Sequence, residues 1–194
     1  MIISEEIKNA TTQSHHLLEK LVVEKIRSIS TLNDYADLLR LFFSYFGGLE
    51  LLIDEHLSTQ YFPDLHDRRK AALISQDLQR LGEQVPKMLD PKLLPAIKNR
   101  HQALGAVYVI EGSSLGGKHI EKMIRNKLPD AANEFLFFVG YRDKTTEMWN
   151  GFKNVLNNIS GNQHEIDDII SGACDTFLKF TEWINSNLKS KTLT

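Results

Sequence analysis

The sequence predicts an all-α fold in a single domain, and three observations carry that prediction. Apolar residues recur at intervals of three and four along most of the chain, as on the buried stripe of an amphipathic helix. Only five prolines occur in 194 residues, at Pro63, Pro86, Pro91, Pro95 and Pro129. No alternating run bounded by Asn-Gly or Asp-Gly turns is present to build a sheet. The 42% hydrophobic content is enough for one substantial core. No repeat, low-complexity tract or linker divides the chain, so one domain is expected over residues 1–190.

Ser4, followed by Glu5 and Glu6, opens a first helix whose positions Ile7, Ala10, Ser14, Leu17, Leu18 and Leu21 recur at helical spacing; it is expected to reach Leu21. A long second helix starts near Ser30 or Thr31. It carries Leu32, Tyr35, Leu38, Leu39, Phe42, Phe46, Leu49, Leu52 and Ile53 and ends before Pro63. Residues 67–81 form a third, stopped by Gly82 and Pro86. The fourth is expected from about Pro91 to Leu128, with a bend inside it. After a short apolar cluster at residues 135–139 and a break at Gly140, a helix from Thr145 carries Met148, Trp149, Phe152, Val155, Leu156 and Ile159 as far as Gly161. The last, from about Asn162, carries Ile166, Ile169, Ile170, Ala173, Phe177, Phe180 and Ile184 and is expected to fray after Leu188.

Composition excludes several classes of function. A formal net charge of −2 and the lack of any dense Lys/Arg block argue against nucleic acid as a partner. The longest apolar run, residues 106–110, is far too short to cross a bilayer, and the acidic N-terminus lacks a secretory signal, so no membrane partner and a cytoplasmic location are expected. The single cysteine, Cys174, excludes an intramolecular disulfide and reads as a buried, inert thiol.

The bend of the fourth helix follows from residues 108–120, YVIEGSSLGGKHI. Each glycine inside a helix is roughly 1 kcal/mol worse than alanine, so Gly112, Gly116 and Gly117 need a compensating gain. Gly112 and Gly116 stand four residues apart on one face, where a missing Cβ lets another body approach the backbone. That body is either a second helix or a ligand. The spacing is not that of a phosphate-binding loop, and no strand precedes it.

Seven histidines offer metal-ligand chemistry, but neither an H-E-x-x-H zinc pattern nor paired Glu-x-x-His motifs occur. A metal held by side chains alone is therefore not expected. His15 is distinguished by its neighbours. Glu19 lies one turn on, Thr11 one turn back and Lys8 two turns back, all on its face. A metal-bound imidazole needs an acceptor for its second nitrogen, which Glu19 is spaced to provide, and a lysine suits the carboxylates of an anionic cofactor. Taken alone, these residues also describe an ordinary polar helix edge. His16 is rotated about 100° away.

Together, A-T-x-x-x-H at residues 10–15 and YVIEGSSLGG downstream resemble the heme oxygenase family, most closely its bacterial biliverdin-forming branch. Trp149 with Phe152 and the run ACDTFLKFTEW at residues 173–183 extend the resemblance over most of the chain. It implies a heme oxygenase-like helical bundle with a bent, glycine-rich distal helix. By this resemblance His15 is the proximal ligand of heme iron, Glu19 the carboxylate one turn after it, and Lys8 a propionate partner. Gly112, Gly116 and Gly117 match the distal glycines that let backbone pack on the porphyrin face, with Tyr108, Ser113 and Thr11 beside the same site and Lys153 a second candidate for a propionate.

The reaction so implied is oxidative opening of heme by O2, with electrons from an external reductase or ferredoxin, to biliverdin, iron and carbon monoxide. Heme is then both substrate and cofactor, and a bilin-accepting protein is a further partner in view. The animal enzymes carry aspartate where this chain has Ser113, a poorer organiser of water than a carboxylate; the bacterial branch often has Ser or Thr there. Two alternatives are a heme- or bilin-binding protein without turnover and a thiaminase-like enzyme on the same fold.

Overall fold

The computed structural model describes residues 2–68, 70–129, 135–159 and 162–190. Among them there is no strand, and the helices are α1 Ile3–Arg27, α2 Leu32–Asp54, α3 Ala72–Arg80, α4 Arg100–Ser113, α5 Gly117–Lys127, α6 Leu136–Val139, α7 Thr145–Asn157 and α8 Gln163–Ser190. Long apolar stripes made this the expected class. Where boundaries differ from expectation, local chemistry gives the reason.

α1 continues past Leu21 because Val22 and Ile26 extend its buried stripe, and Lys25 and Arg27 suit its C-terminal dipole. α2 is capped by a reciprocal pair: the Asp34 amide donates to Thr31 Oγ1 at 3.1 Å, and the Thr31 amide donates to Asp34 Oδ2 at 2.9 Å. α3 starts only at Ala72, after a 3-10 turn at Leu65–Asp67 and an extended Arg68.

α4 begins at Arg100, not at Pro91. Pro91–Leu93 is a 3-10 turn, and Leu94 is extended, as a residue before proline favours. Asn99 Oδ1 then caps α4 by accepting from the His101 and Gln102 amides. The expected bend is a 3-10 turn at Ser114–Gly116, which splits the glycine-bearing helix into α4 and α5. Gly140, at φ +51, makes the expected break after α6. α7 ends at Asn157; Gly161 lies outside the described residues, as do residues 191–194. Asn162 opens α8 through reciprocal bonds with Glu165.

α8 is the spine, with α4 and α1 as its two most extensive helix pairings. The α4–α8 approach is set by glycines on both sides. A Cβ on Gly105 would stand 2.0 Å from the Ile169 carbonyl oxygen, and one on Gly172 would stand 2.2 Å from that of Gln102. Aromatic rings from three elements fill the centre: Tyr45 stacks on Phe180 at 4.5 Å, and Phe42 and Phe46 of α2 meet Phe137 of α6. The Tyr45 hydroxyl donates to the Thr176 carbonyl at 2.7 Å, which satisfies the buried polar tip. α7 packs on both α1 and α4 and thereby bridges the two helices that carry the candidate residues.

Candidate functional site

Along α1 the buried side chains are Ile3, Ser4, Ile7, Thr11, Leu18, Val22 and Ile26. Steps of three and four make a continuous stripe except between Thr11 and Leu18, where Ser14 and His15 should close it. Ser14 is half-buried, and the His15 side chain is 56% exposed. His15 thus stands on the core-facing stripe of α1 yet is open on one side. Its ring meets Phe177 of α8 edge-on, with centroids 5.7 Å apart.

Glu19 Oε2 is 4.0 Å from His15 Nδ1 and 3.7 Å from His16 Nδ1, so the carboxylate stands between both imidazoles. These three exposed residues form a group of potential metal donors within 4.8 Å of one another. Lys8 is exposed. Thr11 is buried, and its hydroxyl donates to the Ile7 carbonyl at 2.7 Å, so it supports α1 from inside. Ile7 and Leu18 are buried as expected, but Ala10 and Leu17, expected on the same stripe, face outward.

The three glycines of the bend have different neighbours. A Cβ on Gly117 would lie 2.1 Å from the Phe138 carbonyl oxygen, so that glycine lets α5 approach α6. A Cβ on Gly112 would make ordinary contact with the Trp149 ring, at 3.8 Å. A Cβ on Gly116 would meet no atom within 4 Å. Only Gly116 has open space in front of it. The Ser113 hydroxyl donates to the Ile110 carbonyl at 2.7 Å.

Beside the bend, Trp149 of α7 lies 5.3 Å from the Tyr108 ring, and the Lys153 ammonium stands 5.9 Å over the indole. Burial, reinforced by the charge of Glu5, raises the Tyr108 pKa. The second cause links α4 to the start of α1. Cys174 is half-buried, 4.0 Å from the Ala10 carbonyl oxygen, and its thiol pKa is raised by burial and by Asp175. Those shifts disfavour the thiolate and agree with an inert cysteine.

Sequence reasoning missed an ion network immediately before Gly112. Glu111 is 1% exposed and Arg68 5%. Arg68 Nη1 donates to Glu111 Oε2 at 2.8 Å and to the Met148 carbonyl at 2.7 Å, and Nη2 donates to Asp64 Oδ2 at 2.6 Å. The Tyr141 hydroxyl donates to Glu111 Oε1 at 2.8 Å. Burial works against the Arg68 charge, but the Asp64 hydrogen bond and the charge of Glu111 outweigh it and raise the guanidinium pKa. The available signal was Glu111 itself, a carboxylate inside the apolar run YVIEG that needs a buried partner.

The heme oxygenase family model matches residues 1–186. A heme oxygenase of Xanthomonas campestris pv. campestris (strain 8004) is 30% identical over 146 residues, spanning 75% of this chain and 86% of that protein. Among solved structures, the NO- and CO-bound heme oxygenase of Neisseria meningitidis superposes with a TM-score of 0.79 at 19% identity, over 97% of this chain and 93% of that one. Heme oxygenase-1 of the cyanobacterium Synechocystis sp. PCC6803, solved in complex with heme, gives 0.74 at 17% identity over 100% of both chains. At these identities the structural likeness shows a shared fold.

Proposed function

The chain belongs to the heme oxygenase family, whose members open the heme ring oxidatively to biliverdin, iron and carbon monoxide, and from that premise we propose that heme is taken up between α1 and the α4–α5 bend. The observation that carries this reading is the opening at His15, where the buried stripe of α1 presents an imidazole to open space. Gly116 offers open space on the other helix.

The helical registers support the same level for both. On α8, Ala10 is matched by Cys174 and His15 by Phe177, while on the other flank Asn99 and Gln102 meet Asp168 and Gly105 meets Ile169 and Ala173. α1 and α4 therefore climb α8 in the same sense. At about 1.5 Å per residue, the 7 to 11 residues from Gly105 to Gly112 and Gly116 carry the glycines about 10–17 Å further along. Glu5 is the residue whose charge is felt by Tyr108; from that level His15 lies about 15 Å on and the two glycines about 6–12 Å on.

In this reading His15 holds the iron through a ring nitrogen, Glu19 restrains the imidazole through its other nitrogen, and the Phe177 edge sets the ring's tilt. Lys8, two turns back on α1, and Lys153, against Trp149, are the cations available to the propionates. Gly112 and Gly116 keep side chains off the porphyrin face, with Tyr108 and Trp149 as an aromatic wall beside it. Ser113, directly after Gly112, carries a hydroxyl that can orient water but does not itself supply a carboxylate. Bound heme supplies the oxygen chemistry, with O2 and electrons delivered from an external reductase or ferredoxin. Among the described residues no helix is long and apolar enough to cross a membrane.

The test is direct. Hemin added to the apoprotein should give a Soret band, and a ferredoxin system or ascorbate with O2 should convert it to a bilin spectrum identified by chromatography. A Soret band without conversion would make the chain a heme-binding protein, and no Soret band would sink the heme reading.

A further inference from the structure

The Arg68 network touches both walls of the proposed heme space. Glu111 is joined directly to Gly112, and Met148 directly to Trp149, whose ring stands 3.8 Å from where a Gly112 Cβ would be. One nitrogen, Arg68 Nη1, bonds the Glu111 carboxylate and the Met148 carbonyl together. Tyr141, in the turn after Gly140, holds the second Glu111 oxygen, and Asp64 anchors the other end of the guanidinium. Four segments of the chain thus meet at one buried planar cation.

Stability alone does not explain such a group. A buried ion pair recovers little net energy after desolvation, and apolar side chains of similar volume often do as well. What a planar donor that reaches three acceptors through two nitrogens adds is fixed geometry. We propose that Arg68 and Glu111 are positioning residues for heme cleavage: they fix the height of the Gly112 backbone and its spacing from Trp149, and so select which meso carbon the activated oxygen reaches. This inference rests on the heme reading above.

The expected signature separates geometry from folding. Glu111→Gln keeps an acceptor for Arg68 and a polar partner for Tyr141, so the chain should fold and bind hemin within about threefold of wild type. The bilin product should nevertheless broaden from one dominant isomer to a mixture, and the C–O stretching band of the ferrous carbonyl form should shift. Arg68→Met should do the same more strongly. Arg68→Lys should lie between, because one ammonium can serve Glu111 and Met148 but cannot also reach Asp64 from the far side of the planar group. If Arg68→Met fails to fold, Glu111→Gln and Tyr141→Phe carry the test.

Unchanged isomer ratios and an unchanged C–O band in Glu111→Gln and Tyr141→Phe, with or without a lower melting temperature, would overturn the proposal and leave the network as ordinary core support. The wild-type hemin titration is run first. A wild-type chain without a Soret band would fail the heme reading itself, a result distinct from normal wild-type cleavage with indifferent variants.

Discussion

Gly116 and Gly117 are adjacent and identical, yet the structure predicts opposite outcomes for filling them. Gly116 sits at φ −82°, ψ −11°, a conformation open to any L residue, with no atom near a prospective Cβ. Gly116→Leu therefore removes unfolded-state freedom without strain and should stabilise the apoprotein by about 0.4–1 kcal/mol. For a chain of this length, that is a rise in Tm of roughly 1–4 °C. Gly117→Ala places its Cβ 2.1 Å from a main-chain oxygen of Phe138 that no rotamer change relieves. α5 and α6 must separate, at about 1–3 kcal/mol, and Tm should fall by roughly 2–12 °C.

Hemin binding should run the other way. The leucine at 116 projects four carbons into the space proposed for the porphyrin and should weaken hemin by at least about tenfold, equivalent to about 1.4 kcal/mol. Gly117→Ala should bind hemin close to normally wherever it is folded. Thermal melts of the apoproteins, paired with Soret titrations well below the melting range, measure both quantities. A Gly116→Leu variant that melts lower than wild type and binds hemin normally would refute the assignment of open ligand space at that glycine.

Other outcomes follow from the same geometry. His15→Ala should abolish the native hemin spectrum and turnover, whereas His16→Ala, although its Nδ1 is the closer to Glu19, should leave both nearly intact; damage confined to His16→Ala would put the α1 face wrong. Gly105→Ala, with its Cβ 2.0 Å from the Ile169 carbonyl oxygen, should lose about 3 kcal/mol or more by denaturant melts, since two backbones must move apart; a wild-type midpoint would contradict the α4–α8 approach. Thr31→Ala should lower stability by about 1 kcal/mol at neutral pH through loss of the α2 cap. The Asp34 carboxyl is lowered from 3.8 to about 2 chiefly by the Ser30 amide, with help from the Thr31 and Ser30 hydroxyls. A depressed carboxylate stabilises fully above its unfolded pKa and loses that contribution as pH falls through the folded value. The stability gap between wild type and Asp34→Asn should accordingly be constant above about pH 4 to 5 and shrink toward pH 2; a gap that widens on acidification would reverse the sign.

The helices were legible because their signals are local. The start of α2 near Ser30 or Thr31 is a local cap signal that the structure bears out at Thr31, and the apolar steps of α2 and α8 need no knowledge of the partner; the cap at Asn99 is passed over for Pro91. Errors arose where a local signal was ambiguous. Pro91 is a good first helical residue in general, but Pro95 four residues on forces Leu94 to be extended and delays α4 to Arg100. On α1, counting Ala10 and Leu17 as core makes the stripe too wide, because alanine and an occasional leucine are tolerated in water. Ile7 and Leu18 are on the expected stripe; only burial adds Thr11 to it, removes Ala10 and Leu17, and exposes the gap at His15.

The site was legible only in part, since its meaning lies in contacts between distant residues. Three glycines that look alike in YVIEGSSLGG are separated by what other segments bring to them: the Phe138 carbonyl to Gly117, the Trp149 ring to Gly112, open space to Gly116. Gly105 and Gly172, which seat α4 against α8, are not singled out in the sequence, because each is explained only by backbone of the other helix. Arg68 and Glu111 are the extreme case. Their separation of 43 residues has no periodicity to betray it, and Arg68 lies between helices where sequence reading expected an unremarkable start to the third. A lone glutamate before the distal glycine nevertheless demanded a cation, because a carboxylate at that depth is not left unpaired. That demand is the physical link from the sequence to the proposed control of where heme is cut.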